Sequence, residues 1–311
     1  PPSGGSAGAD NLCMFGRLVP EFMLLGVMKS ATTTFAGKLA RSPGIWFAER
    51  RSGECDTEHD GFCHEGRLKE GHFFDWHWLE GPEWMAKHYP ECRTDVRMVA
   101  TDATPREFLI EGVPKTIKRF YGDLQTRLKF VVIVREPVTR FHSDYYNARA
   151  QQWCSTYAIR SFKAVVGSIV SSDSTYFGGL AIGCPERLEA SLYHEDMERW
   201  LGAFDPAQFT VVPFLDVVDE GRGNIAKHFW DLLGVPAGED FEGHLWHFDH
   251  PSLDEDLPAD LLAEFRALIY RSHGPGHLAA VLAGRPGVAL HGYSGDPASE
   301  EAVTAWLEGA W

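Results

Sequence analysis

Lysine is scarce in this sequence, and long hydrophobic runs and clusters of basic residues are absent from it. The 311 residues contain only nine lysines and twenty arginines against 44 acidic residues, so the formal net charge is −15. Such a surface repels polyphosphates and acidic lipid headgroups, which argues against a nucleic-acid binder and against a membrane-surface binder. No apolar run approaches the roughly 18 residues of a membrane-spanning helix. We therefore predict no membrane span, and any anion that the protein binds needs a local basic pocket.

The composition is that of a folded domain with unstructured ends. The hydrophobic fraction of 44% and the charged fraction of 23% suffice for a sizeable core. The opening segment is rich in glycine, serine and proline and does not start with Met, so we expect a processed or trimmed chain. We predict a flexible linker over residues 1–19, a single domain over 20–290 and a peripheral tail over 291–311.

The six cysteines leave two interpretations open. Their number is even but low for this length, so disulfides and free thiols both fit. Cys55 and Cys63 could close a hairpin in a polar loop. The same stretch, with His59 and His64, contains zinc-ligand types, but its spacing matches no standard zinc motif. We therefore predict no metal site.

Apolar runs of strand length alternate with helical patterns along the chain. Strands are predicted over 22–27, 45–47, 98–101, 128–134 and 209–214. Helices are predicted over 32–40, 84–89, 115–121, 137–150, 188–204, 226–233 and 260–272, and no regular element over 49–71. This alternation predicts an α/β fold with three layers, similar to P-loop proteins, in which helices flank a central, mainly parallel β-sheet.

The first long strand runs into a loop of the composition that holds phosphate groups. Lys29 follows Gly26, and Ser30, Thr32 and Thr33 come at the start of the next helix. Backbone N–H groups and the positive helix end face an anion in such loops, and a lysine adds a point charge. The Gly-Lys-Ser/Thr spacing of nucleotide triphosphatases is missing, which disfavours a kinase or an ATPase. The alternative is that Lys29 caps an exposed turn.

Four segments, in this order, resemble those of sulfotransferases that use 3′-phosphoadenosine-5′-phosphosulfate (PAPS). The Lys29–Thr33 segment resembles the loop that holds the 5′-phosphosulfate. Residues 69–76, Lys-Glu-Gly-His-Phe-Phe-Asp-Trp, are similar to a segment of glycosaminoglycan-type carbohydrate sulfotransferases. Residues 135–146 are similar to the 3′-phosphate motif of the family, and residues 191–214 to its helix–strand unit. Together the four segments span most of residues 20–235.

The resemblance implies a sulfotransferase with PAPS as donor and 3′-phosphoadenosine-5′-phosphate (PAP) as product. The acceptor would be a hydroxyl or an amine of a carbohydrate. The location implied is the Golgi lumen, with the cytoplasm as the alternative, and the oligomeric state is open. The implied donor-binding residues are Lys29, Ser30, Ala31, Thr32, Thr33, Thr34, Arg135 and Ser143.

The same resemblance assigns catalytic roles to four residues. Lys29 would stabilise charge on the leaving oxygen, and Glu70 would be the general base that takes the acceptor proton. His72 and Asp75 would orient Glu70 or the acceptor. The alternatives are a solvated loop acid at Glu70, a core histidine at His72 and a helix cap at Asp75.

Three departures from the family pattern keep other functions open. Ala31 stands where the family has glycine, which hinders a positive φ angle there. Residues 101–105 resemble a family segment that contains a lysine, and Ala103 stands at the position of that lysine. The Lys-Gly-Arg loop that the family has near its C-terminus is not found in this sequence. The alternatives are a sulfotransferase of a small metabolite and an inactive nucleotide- or glycan-binding domain. Because the chain lacks an extended basic groove, we expect a neutral or weakly charged acceptor.

Overall fold

The computed structural model describes residues 10–49, 63–64, 67–172, 188, 190–239 and 250–311. The chain divides into two compact units. The first unit comprises Pro1–Gly26, Thr32–Val132 and Asp216–Leu245. The second comprises Val27–Ala31, Ile133–Leu215 and Trp246–Trp311.

A six-stranded sheet forms the centre of the fold. The described strands are Cys13–Met14 (β1), Arg17–Leu18 (β2), Pro20–Gly26 (β3), Ile45–Trp46 (β4), Ala48–Glu49 (β5), Cys63–His64 (β6), Arg67–Leu68 (β7), Val99–Asp102 (β8), Lys129–Val134 (β9), Phe209–Pro213 (β10) and Ala289–Leu290 (β11). The sheet order is β11-β10-β9-β3-β8-β4, and β3 pairs in parallel with both β8 and β9. Every residue of β3 is buried, as expected of a central parallel strand. The predicted mainly parallel α/β sheet is confirmed.

Helices connect and cover these strands. The described α-helices are Thr32–Leu39 (α1), Pro82–His88 (α2), Val113–Tyr121 (α3), Pro137–Ala150 (α4), Ser155–Ile159 (α5), Phe162–Ser172 (α6), Tyr193–Ala203 (α7), Phe214–Val218 (α8), Ile225–Leu233 (α9), Leu253–Asp256 (α10), Ala259–His273 (α11), Pro275–Ala283 (α12) and Glu300–Ala310 (α13). A π-helical turn spans Phe73–His77, and 3₁₀ turns span Trp78–Glu80, Gly122–Arg127, Pro206–Gln208 and Glu220–Arg222. None of the described helices is long and apolar enough to cross a membrane.

The first unit packs α1 and α9 together through aromatic side chains. The Phe229 ring lies 5.1 Å from that of Phe35 and 5.6 Å from that of Phe22. The indole N–H of Trp230 donates to the Leu39 carbonyl at 3.1 Å, so the buried polar atom is satisfied. This packing fixes α1, the helix that begins directly after the Lys29 segment.

The second unit has its own core around α4. Phe141 and Tyr145 on this helix pack against Tyr157, Phe162 and Phe265, all of them buried. The helix starts at Pro137 because proline fits the first turn and the Glu136 carboxylate accepts a hydrogen bond from the Thr139 N–H at 2.7 Å. Its length, Pro137–Ala150, matches the prediction.

The predicted helix over residues 188–204 is shorter in the structure and begins at Tyr193. Ala190 and Ser191 form a turn in which the buried Ser191 hydroxyl accepts a hydrogen bond from Arg140 at 2.7 Å. Continuing the helix through this turn would compete with that contact. The apolar spacing alone did not reveal this.

Regular secondary structure is also present on both sides of the predicted domain of residues 20–290. Strands β1 and β2 form a hairpin within residues 1–19, and Leu12 and Leu18 are buried. Helix α13 lies within residues 291–311, and its Val303 and Leu307 are buried. The three-part division of the chain stays a prediction.

Three cysteines are oxidised among the residues whose side chains the structure describes. Cys13 and Cys92 form a disulfide, and Cys154 is also disulfide-bonded. Cys55 and His59, named with the zinc alternative, lie outside the described residues. Within the described residues, no group of three histidine, cysteine or acidic side chains is arranged to hold a metal ion.

Candidate active site

The loop Val27–Ala31, which follows β3, has an unusual backbone. Lys29 and Ala31 have φ angles of 67° and 62°, in the left-handed region that residues with a side chain seldom adopt. Strained backbone of this kind persists only where the surroundings hold it, and it is concentrated at ligand-binding sites. Left-handed residues also build the concave nests of N–H groups that bind anions. The positive φ that Ala31 was expected to hinder is therefore present.

Two arginines hold this loop by its carbonyl groups. Arg135 donates from Nη1 to the Lys29 carbonyl at 2.8 Å, and Arg140 lies 3.5 Å from the Met28 carbonyl. Arg140 is fully buried and also donates to the Ser191 hydroxyl. The carbonyl oxygens of Met28 and Lys29, which would repel an anion, thus point toward the two guanidinium groups.

Arg135 forms no ion pair with a carboxylate anywhere in the described residues. Its side chain contacts the Lys29 carbonyl and lies over the Phe214 ring, 4.5 Å from the centroid. Burial lowers the pKa of Arg135 to about 10, so the guanidinium remains charged at neutral pH. Partial burial disfavours this charge, and the nearby Glu136 carboxylate, which is not paired with Arg135, offsets the cost only in part, so the arrangement favours a bound anion.

A second cluster lies in the first unit and centres on Glu70. Lys69, whose side chain is only 3% exposed, donates to Glu70 at 2.7 Å and to the Thr32 hydroxyl at 3.1 Å. Burial by itself would raise the pKa of Glu70, but the Lys69 charge and the hydrogen bonds from His72 and Lys69 outweigh it. The pKa of Glu70 is consequently lowered to about 2. Glu70 is ionised throughout the neutral range.

His72 bridges Glu70 and Asp75. Its Nε2 lies 3.5 Å from Glu70 Oε2, and its Nδ1 lies 2.9 Å from Asp75 Oδ2. Burial would lower the pKa of His72, but the hydrogen bonds to Asp75 and Glu70 raise it to about 9. His72 is therefore a cation at neutral pH. We call Lys69, Glu70, His72 and Asp75 the acid–base cluster.

The backbone of His72 is held by a buried hydroxyl. The φ angle of His72 is 52°, and its N–H donates to Thr104 Oγ1 at 3.1 Å. The Thr104 hydroxyl in turn donates to Asp102 Oδ1 at 2.6 Å. Asp75 lies inside the π-helical turn Phe73–His77, whose cap residue is His72, so the alternative of a helix cap at Asp75 does not hold.

The predicted site residues fall into two groups. Lys29 and Arg135 are joined in the second unit, whereas Thr32, Glu70, His72 and Asp75 are joined in the first. Ser30 and Thr34 are buried beside the loop and Thr33 is partly buried. Ser143 is buried in α4, and its side chain has no hydrogen bond to another described residue. Its role stays a prediction.

Three further residues belong to these clusters and were not predicted as site residues. Lys69 and Arg140 lie inside the segments that resemble the family, which was a usable signal. Arg106 lies 3.8 Å from Asp75 Oδ2 through Nη1, and nothing in the sequence pattern indicated it.

The α/β fold of this chain is shared by a solved sulfotransferase. A crystal structure of a sulfotransferase from Alicyclobacillus acidocaldarius superposes with a TM-score of 0.55 and 18% sequence identity, covering 85% of this chain and 95% of that one. At this identity the likeness shows the fold. No family model matches the chain.

Relatives that are similar in sequence include heparan sulfate glucosamine 3-O-sulfotransferases. The human enzyme 6 is 26% identical over 224 residues, which is 70% of this chain and 53% of that protein. The mouse enzyme 3B1 is 28% identical over 219 residues, 70% of this chain and 47% of that protein. The chain thus spans about half the length of the curated relatives it matches. These similarities confirm the resemblance to carbohydrate sulfotransferases that the ordered motifs predicted.

Proposed function

We propose that this protein transfers a sulfuryl group from PAPS to a hydroxyl or an amine of a carbohydrate. The observation that carries the proposal is the charged, partly buried Arg135, which lacks a carboxylate partner in the described chain and donates to the strained Lys29 loop. These two features support an anion-binding site at this loop. The similarity to sulfotransferases identifies the anion that we propose for it.

The residues of the loop fit the phosphosulfate group. The Ser30 hydroxyl is buried and has no hydrogen-bond partner among the described residues, so it is available to an oxygen of the donor. Lys29 would supply positive charge, and Ala31, Thr32, Thr33 and Thr34 would supply N–H groups at the start of α1. Arg135, together with Ser143, would hold the 3′-phosphate.

The chain's own groups balance the charges of an in-line displacement. A bond forms from sulfur to the acceptor atom while the bond from sulfur to the bridging phosphate oxygen breaks, leaving its electron pair on PAP. Lys29 would stabilise that negative charge. Glu70 would take the acceptor proton, which becomes strongly acidic as the sulfur–oxygen bond forms. A carboxylate whose pKa is about 2 therefore suffices as the base.

His72 and Asp75 would keep Glu70 in place during this proton transfer. The imidazolium donates toward Glu70 on one side and Asp75 on the other, and this fixes the orientation of the ring. Since His72 is a cation at neutral pH, it is not the base. The presence of Lys29, Glu70 and Arg135 disfavours an inactive binding domain.

We also propose an oxidising compartment, with the Golgi lumen as the location. The disulfide Cys13–Cys92 and the oxidised state of Cys154 support this, since disulfides are rare in reducing compartments. Reaction with a thiol reagent under denaturing conditions, with and without prior reduction, measures the oxidised cysteines in the natively expressed protein. Free Cys13 and Cys92 in that material would contradict the proposal.

Calorimetry with PAP tests donor binding, and transfer of radiolabelled sulfate to glycans tests the reaction. We expect Lys29→Ala to abolish transfer and Glu70→Gln to retain PAP binding with little turnover. Matched controls are the exposed Lys115→Ala and Glu111→Gln, which should transfer normally. Absence of PAP binding by the wild type would refute the proposal. Unchanged turnover in both site variants would refute the mechanism.

A further inference from the structure

Arg106 stands next to the acid–base cluster with most of its hydrogen-bonding capacity unused. Its side chain is 46% exposed, and Nη1 lies 3.8 Å from Asp75 Oδ2. Asp75 is fully buried, but the distance of 3.8 Å is too long for a hydrogen bond. The Arg106 side chain forms no hydrogen bond with the residues that the structure describes. Its guanidinium N–H groups are therefore available to a ligand.

An exposed tryptophan adjoins the same guanidinium. Trp76 is 58% exposed, and the Arg106 guanidinium carbon lies 5.8 Å from the centroid of its ring. The His72 ring stacks against Trp76 at 3.9 Å with an interplanar angle of 10°. Tryptophan combines a large apolar ring with a polar N–H, so an exposed ring that stacks on a site residue is suited to contact a ligand.

The charges of the site require a cation at this place if the acceptor is an anion. Within the acid–base cluster the charges of Lys69 and His72 balance those of Glu70 and Asp75, and the buried Asp102, which interacts with His72, adds a further carboxylate. Ala103 stands where related enzymes carry a lysine, so that cation is missing. Arg106, three residues further along, restores one positive charge beside Asp75.

We propose that Arg106 is the residue that recognises the acceptor, binding an anionic substituent of a sugar whose ring contacts Trp76. The substituent is a planar or tetrahedral oxyanion, a carboxylate or a sulfate ester, because guanidinium groups bind both through paired N–H donors. One such contact fits a weakly charged acceptor in a chain of net charge −15. This inference rests on the proposed function.

The test compares Arg106→Ala with Arg119→Ala. Arg119 is exposed and lies 5.8 Å from the Trp78 ring centroid, so its variant removes the same charge from a similar aromatic contact. Three probes distinguish the oxyanions: a heparan sulfate hexasaccharide, its carboxyl-reduced form and its desulfated form. Binding to the protein is measured by calorimetry with and without PAP, and kcat and KM are measured by transfer.

We expect Arg106→Ala to weaken binding of the intact hexasaccharide and raise its KM by about tenfold or more, with kcat changed little. Arg119→Ala should leave both unchanged. The difference between wild type and Arg106→Ala should vanish for the carboxyl-reduced probe if the anion is a carboxylate, and for the desulfated probe if it is a sulfate. Both outcomes support the proposal and identify the group.

Four results would overturn it. Three of them are equal effects of the two alanine variants, an Arg106→Ala loss that is the same for all three probes, and a wild-type protein that binds none of them. An effect on kcat alone would mean that Arg106 acts by positioning Asp75, which also contradicts acceptor recognition. Failure of the wild type to bind PAP, with Arg106-dependent binding of the hexasaccharide intact, would instead refute the proposed function alone.

Discussion

Replacing Ala31 by glycine should stabilise the protein, although an alanine-to-glycine change ordinarily destabilises. The φ angle of Ala31 is 62°. An L-residue in the left-handed region costs about 1–2 kcal/mol, and glycine adopts that region freely. The extra freedom of glycine in the unfolded chain costs about 0.4–1 kcal/mol. The net expectation is a gain of about 0.5–1 kcal/mol in the free energy of unfolding.

A matched substitution elsewhere gives the opposite sign. Ala263 is exposed within the helix Ala259–His273, where the backbone has right-handed angles. Ala263→Gly should lower the free energy of unfolding by about 1 kcal/mol. Urea unfolding of both variants, followed by fluorescence and circular dichroism, measures this difference.

If Ala31→Gly and Ala263→Gly destabilise the protein equally, the conclusion that the backbone is strained at Ala31 is refuted. The anion site would then lose its structural basis, because the nest of N–H groups depends on the left-handed residues. In the expected case, PAP should bind Ala31→Gly at least as tightly as the wild type. The backbone that the ligand needs would be retained with less strain.

Three further predictions follow from the acid–base cluster and the disulfide. The pKa of His72 is raised to about 9, so the stabilisation from its positive charge is complete below about pH 6.5 and is lost as the pH rises through 9. We therefore expect kcat to fall as the pH rises through 9, and a pH–rate profile measures this. Thr104→Val should cost about 1–3 kcal/mol in urea unfolding because the His72 N–H loses its acceptor and Asp102 Oδ1 loses one of its hydrogen bonds, whereas Thr104→Ser should cost less. Replacing Cys13 and Cys92 by serine should lower stability by about 2–4 kcal/mol; an unchanged urea midpoint would contradict a structural disulfide.

The parts of the fold that depend on local pattern were predictable. The buried strand Lys129–Val134 and the helix Pro137–Ala150 follow from an apolar run and from a proline at a helix start. Both signals lie within a few neighbouring residues, so no knowledge of tertiary contacts is needed. The predicted start of α7 was wrong because Ser191 accepts a hydrogen bond from Arg140, which lies 51 residues away in the sequence.

The residue types of the candidate site were predictable, but their arrangement was not. The motifs named Lys29, Glu70 and His72. They did not indicate that the backbone at Lys29 is left-handed or that Lys69 reaches Thr32, 37 residues earlier in the chain. Positive φ angles in residues other than glycine leave no mark in a sequence, since they arise from the contacts that hold them.

The acidic composition of the chain makes its unpaired arginine informative. With 44 acidic and 29 basic residues, carboxylates outnumber cations, so an arginine finds a partner easily. Arg97 and Arg127 both lie within 3.3 Å of the same carboxylate, Glu21. Arg135 forms no such pair among the described residues, although it is largely desolvated and lies next to Glu136 in sequence. The acidic composition therefore makes an arginine without a paired carboxylate a stronger indication of an anionic ligand than the same arginine would be in a basic protein.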